Sequence, residues 1–91
     1  MRVRWTTKAA DDLAHIVEYI RKDNPAAALR VARAIYQGVA GLPKYPNIGR
    51  IGLAENTREL IFPPWPYIAV YEIIGDQVQV LRIRHAAQDW P

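Results

Sequence analysis

Arg82, Arg84 and His85 stand together in "LRIRH" near the end of the chain, and Arg58 opens an earlier β-prone stretch, "TRELIF". Guanidinium groups pair in a two-pronged way with phosphate or carboxylate, and an imidazole titrates near neutral pH. Residues two apart on a strand share a face. Arg82 and Arg84 would therefore lie together, opposite Leu81, Ile83 and His85, with Arg58 beside the arginines if its face and register agree. Such a cluster could hold a phosphodiester and stabilise its transition-state charge, with His85 as general acid or base. The competing reading is structural: the arginines pair with Glu59, Glu72 and Asp89, or with carboxylates of a protein partner. Trp65, Tyr67, Tyr71 and Trp90 divide the same way. They could stack on nucleic-acid bases or serve as core residues and anchors at a protein interface.

Other chemistries have little to work with. The chain contains neither cysteine nor serine, which excludes disulfides, thiolate metal sites, and thiol and serine nucleophiles. His15 and His85 are the only histidines, with no cluster of carboxylates around either in sequence, so no metal site is expected. His15 reads as a boundary side chain without function. "GRIG" lacks the lysine and the following helix of a phosphate-binding loop, and no cofactor is expected.

The elements that must position these residues follow from periodicity. "MRVRW" alternates charged and apolar residues, a short first strand with Val3 and Trp5 on one face. Thr6 reads as a helix cap. Ala9, Leu13, Ile16, Val17 and Ile20 then form one apolar stripe. "DNPAA" stops this helix and starts another, Asn24 capping it and Pro25 suiting its first position. Ala28, Ala32, Ile35, Val39 and Leu42 form the second stripe, and so short a link implies an antiparallel helix hairpin. "GLPKYPNIGRIGLAEN" reads as a loop. Two further strands, "TRELIF" and "YIAVYEII", are separated by the rigid "PPWP", and "GD" turns into a last strand, "QVQVLRIRH". The expected fold is α+β, ordered β-α-α-β-β-β, with the helix hairpin packed on one face of a small antiparallel sheet.

The 91 residues allow one domain, 1–91. A 51% apolar and 23% charged composition is that of a globular chain. Without a signal-like or membrane-spanning apolar run, the expectation is a cytoplasmic protein with no membrane partner. The net charge is +3, and nine of the twelve basic residues are arginine. That fits an acidic protein partner or a nucleic acid, and equally a GC-rich coding sequence, which enriches arginine and alanine together.

From end to end, "WTTKAADDLAHIVEYI", "NPAAALRVARAIYQGVAGLPKYPNIGR", "TRELIFPPWPYIAVYEI" and "VQVLRIRHAAQDW" resemble the ParE/RelE superfamily of toxins from bacterial toxin–antitoxin pairs. The resemblance implies a compact type II toxin neutralised by a cognate ParD/RelB-like antitoxin, with DNA engaged only indirectly through that antitoxin. It also implies one of two activities. RelE-like members cut messenger RNA in the ribosomal A site; ParE-like members are not nucleases, and poison DNA gyrase and so replication. RelE-type enzymes carry an arginine where this chain has Ile68, and a terminal tyrosine where it has Ala86 to Trp90. The loop before "TRELIF" offers only Lys44 and Arg50 as basic residues. "PWPYIAVYEI" and "HAAQDW" look like the ParE branch. That branch implies no catalytic residues, with Arg58, Trp65, Tyr71, Arg82, Arg84 and Trp90 as candidate partner contacts. The alternative, a ribosome-dependent endoribonuclease, would use Arg58, Arg82 and His85. A third reading is a degenerate member that only binds its antitoxin.

Overall fold

The computed structural model describes residues 1–87, so Asp89 and Trp90 lie outside the described residues. Strand β1 (Arg2–Trp5) leads into helices α1 (Thr7–Asp23) and α2 (Pro25–Ala40), followed by β2 (Arg50–Ile51), β3 (Arg58–Phe62), β4 (Trp65–Ile74) and β5 (Gln77–His85). The sheet order is β1-β5-β4-β3-β2. The expected helix hairpin and three-strand meander are present, with two additions. β2 forms inside the segment read as a loop, pairing with β3. β1 joins the far edge parallel to β5, so the sheet is mixed rather than wholly antiparallel.

Local chemistry explains the helices. The Thr6 hydroxyl accepts the Ala9 amide at 3.1 Å, and Arg21 and Lys22 sit in the last turn of α1, where cations suit the negative end of the helix dipole. Asn24 serves both helices. Its amide donates to Ile20 O at 2.9 Å and its side chain accepts from Ala27 N at 3.0 Å. This closes one helix and opens the next within a single residue, with Pro25 in the first turn of α2.

The core lies between the hairpin and one face of the sheet. Ala9 and Leu13 of α1, Val31, Ile35 and Val39 of α2, and Leu42 meet Phe62, Ala69, Tyr71, Val78, Val80 and Ile83. On α2 it is Val31, not Ala32, that joins the fully buried stripe. Gly75 turns β4 into β5 with φ +59, a conformation glycine adopts without strain. The proline-rich link is shorter than expected. Pro63 and Pro64 make the turn, while Trp65 and Pro66 already belong to β4, and a register shift between Ile61 and Phe62 accommodates them. Among the described residues, no helix is long and apolar enough to cross a membrane.

Candidate functional site

β5 meets two conflicting demands. Val78 and Val80 are fully buried beneath the helices, and in a regular strand Arg82 and Arg84 would follow them into the core. The register resolves the conflict. Val80 pairs with Tyr71 but Arg82 pairs with Val70, leaving Leu81 as an extra residue in a bulge. The bulge reverses the alternation. Beyond it Ile83 enters the core, while Arg82 and Arg84 align with Val70 and Ile68 on the side of the sheet away from the hairpin.

β1 ends opposite Val80, so the outer edge of β5 from Leu81 onward has no strand beside it. The start of α1 takes that place. Thr6 donates its amide to Val80 O at 3.0 Å and its hydroxyl to Leu81 O at 2.9 Å, and Asp12 Oδ2 accepts the Ile83 amide at 3.0 Å. Arg82 grips the same carboxylate with both prongs, Nε to Oδ2 at 2.7 Å and Nη2 to Oδ1 at 3.0 Å. Burial alone would raise the Asp12 carboxyl. The Arg82 hydrogen bond, the Ile83 amide and the charges of Arg82 and Arg84 together outweigh burial and hold the group below its ordinary 3.8. The hydrogen bond to Asp12 likewise shifts Arg82 upward, further from deprotonation.

Arg58 is committed elsewhere. Its Nη1 donates to Gly49 O at 2.8 Å and Asn47 O at 3.2 Å, clamping the loop before β2. Tyr71, expected as a partner contact, is instead a core residue at 0% exposure. Its hydroxyl ties down the same loop, accepting from Gly49 N at 3.0 Å and donating to Pro46 O at 2.7 Å. Buried Glu59, one carboxylate expected to pair with these arginines, is taken by Arg50 at 2.9 Å. The partner of Arg82 is Asp12, 70 residues earlier in the chain, rather than one of the acids near it in sequence. Arg58 and Arg82 are thus fastened to separate parts of the chain, on strands separated by β4. Trp65 is half-buried and packs against the core, and Trp90 lies outside the described residues.

His85 points to a different place. Its ring meets Tyr67 edge-on, 5.5 Å between centroids at 86°, and its Nδ1 accepts the Ala87 amide at 3.0 Å. Both rings line a cleft of about 370 Å³ with Asp12, His15, Ile16, Tyr19 and Ile83. Burial, reinforced by Tyr19, pushes the Tyr67 phenol up. The sequence reading assigned nothing to His15, yet the fold brings the only two histidines to one cleft. The available signal was helical spacing: Asp12, Ile16 and Tyr19 fall on one face of α1 with His15 beside them. Among the described residues, no group of three histidine or acidic side chains is placed to hold a metal.

Comparison with known proteins agrees with this architecture. A profile described as the ParE toxin of the type II toxin–antitoxin system parDE matches residues 3–90. The protein Y4kP of Sinorhizobium fredii, which carries a toxin name, is 46% identical over 90 residues, covering 99% of this chain and 93% of the relative. The toxin RelE2 of Caulobacter vibrioides is 39% identical over 87 residues, covering 96% and 97%. Among solved structures, the chromosomal ParDE system of P. aeruginosa superposes with a TM-score of 0.84 at 31% identity, covering 93% of this chain and 95% of that one. The Helicobacter pylori protein HP0894 shares the fold, with a TM-score of 0.61 at 14% identity and 97% coverage of both chains. With its sequence matched almost throughout and the same hairpin-on-sheet architecture, the chain belongs to the ParE toxin family of type II toxin–antitoxin systems.

Proposed function

We propose that this toxin acts by binding and inhibiting DNA gyrase, without bond chemistry of its own, and that a cognate antitoxin neutralises it. One observation carries the choice against nuclease activity. Arg58 and Arg82, which a phosphodiester site would need free and convergent, are spent on Asn47 and Gly49 carbonyls and on Asp12 respectively. Recruiting Arg82 to a scissile phosphate would leave Asp12 without its bound cation, a costly exchange for a partly buried carboxylate. Ile68, on β4 opposite Arg84, contributes no cation either.

The endoribonuclease reading keeps one observation in its favour: His15, Tyr19, Tyr67 and His85 line a single cleft, and side chains of these types serve as general acids and bases. The relative named RelE2 supports keeping that test in hand. Supercoiling by gyrase and A-site cleavage of messenger RNA on translating ribosomes are measured on one preparation. The expected result is inhibited supercoiling with intact message. Message cleavage that disappears in His85→Ala or Arg82→Ala, with gyrase unaffected, would reject the proposal.

A further inference from the structure

The loop before β2 is fastened at several points, yet it turns its apolar side chains outward. Tyr45, Ile48, Ile51 and Leu53 are 57%, 65%, 77% and 77% exposed, and they fall within nine consecutive residues. Single exposed apolar residues are ordinary, but a contiguous group of them marks an interaction surface. Contacts join these side chains into one group. Tyr45 and Ile48 line one groove with Pro46 and Asn47. The Asn47 carbonyl accepts from Arg58 at 3.2 Å, and Arg58 stands directly across from Ile51 in the pairing of β2 with β3, so the two share a face of the sheet. Leu53 follows in the connection between these strands.

The backbone beneath these side chains is pinned. The Tyr71 hydroxyl holds Gly49 N and Pro46 O, and Arg58 holds the Asn47 and Gly49 carbonyls. At the far end Gly52 N donates to Thr57 O at 2.8 Å, and the Thr57 hydroxyl donates to Ala54 O at 2.6 Å. A surface already fixed in the free protein loses little conformational freedom on binding. Its charge is one-sided as well. From Gly41 to Ala54 the chain carries Lys44 and Arg50 and no acidic residue. Glu59 balances Arg50, whereas among the described residues Lys44 and Arg58 belong to no ion pair.

We infer that the projecting face formed by Tyr45, Ile48, Ile51 and Leu53 is where the toxin grips gyrase, entering an apolar hollow of the enzyme with acidic groups at its rim. The inference rests on the gyrase reading proposed above and deepens it by naming the contact surface. Shape and charge select this occupant. A rigid projection needs a folded, concave surface to receive it, which a large enzyme supplies; a short chain segment gains most from a groove instead. Lys44 and Arg58 beside the apolar face call for acidic groups opposite them. A second copy of this chain would set the same cations against each other, which disfavours it.

Ile48→Gln combined with Leu53→Gln replaces two of the four side chains at exposed positions outside the strands. Leu29→Gln, at a 53% exposed site on α2, is the control. Each full-length toxin is titrated into gyrase supercoiling reactions, with thermal melting as the check on folding and antitoxin affinity measured in parallel. The double variant is expected to need at least about tenfold more protein for half-inhibition, the loss of two interface anchors. Leu29→Gln is expected to match the parent, and antitoxin affinity to stay within about twofold in both. Undiminished inhibition by the folded double variant overturns the inference while leaving the gyrase reading in place; if the double variant does not fold, the two single variants decide in the same way. A fall in antitoxin affinity as large as the loss of inhibition also overturns it and assigns the face to the antitoxin. So does sedimentation of the parent with vesicles of phosphatidylglycerol and phosphatidylcholine, or a dimer of the parent, that the double variant abolishes while inhibition is intact. A parent that fails to inhibit gyrase rejects the gyrase reading itself, and this inference with it.

Discussion

Tyr71→Phe removes one oxygen from the interior and leaves the ring in place. In the parental protein that oxygen bridges two backbone groups of the loop before β2, accepting from Gly49 N at 3.0 Å and donating to Pro46 O at 2.7 Å. The variant loses both bonds and strands a donor and an acceptor beside a side chain of 0% exposure. Leaving a buried polar group unsatisfied costs about 1–3 kcal/mol. Arg58 still holds the Gly49 and Asn47 carbonyls, which limits collapse of the loop and favours the middle of that range. A loss of about 2 kcal/mol corresponds to a fall in Tm of roughly 8–16 °C in a domain of this size. Thermal melts by circular dichroism, with urea unfolding to confirm an unchanged slope, measure it. A double variant with Arg58→Met is expected to depart from additivity, since both side chains hold the same loop. A Tyr71→Phe protein melting within about 2 °C of the parent would refute the idea that this hydroxyl anchors the loop, since even the low end of the estimate gives a larger shift.

Two other perturbations test the same framework. The Asp12 carboxyl is held below its ordinary 3.8 in the folded chain, so its contribution is complete above that value and is lost as pH falls through the lower folded one. The stability gap between parent and Asp12→Asn, measured by urea unfolding, is therefore expected to be full at about pH 6 and to shrink below about pH 4; a gap independent of pH would contradict the pairing. In Gly49→Ala the new methyl would meet Tyr71 Cε1 and Oη at 2.7 Å and Glu59 O at 3.0 Å. A loss of about 1–3 kcal/mol is expected from such overpacking, read as a lower urea midpoint, and a neutral result would show that the loop shifts freely.

Much of the architecture was legible because it is local. Thr6, Asn24 and Pro25 announce helix boundaries through bonds spanning three or four residues, and the stripe from Ala9 to Ile20 sets the buried face of α1. β2 was not legible. Two residues carry no periodic signal, and Arg50 and Ile51 become a strand only because β3 stands beside them. Val31 replaced Ala32 in the buried stripe because the orientation of α2 against the sheet, rather than spacing alone, selects between adjacent apolar residues. Tyr71 was misplaced as a contact residue because an aromatic with a polar tip suits both an interface and a core with a loop to anchor.

The sequence by itself determined the helix hairpin, the strands β3, β4 and β5 that follow it along the chain, and membership of a toxin family, since these follow from short-range periodicity, capping and residue pattern. Only the tertiary structure decided what the arginines do. The bulge at Leu81 that turns Arg82 and Arg84 out of the core exists because Val78, Val80 and Ile83 must all face the helices. The carboxylate that captures Arg82 lies 70 residues away. The reason is physical: which groups meet across a sheet depends on register and on the packing of distant elements, and neither is written in the spacing of any one segment.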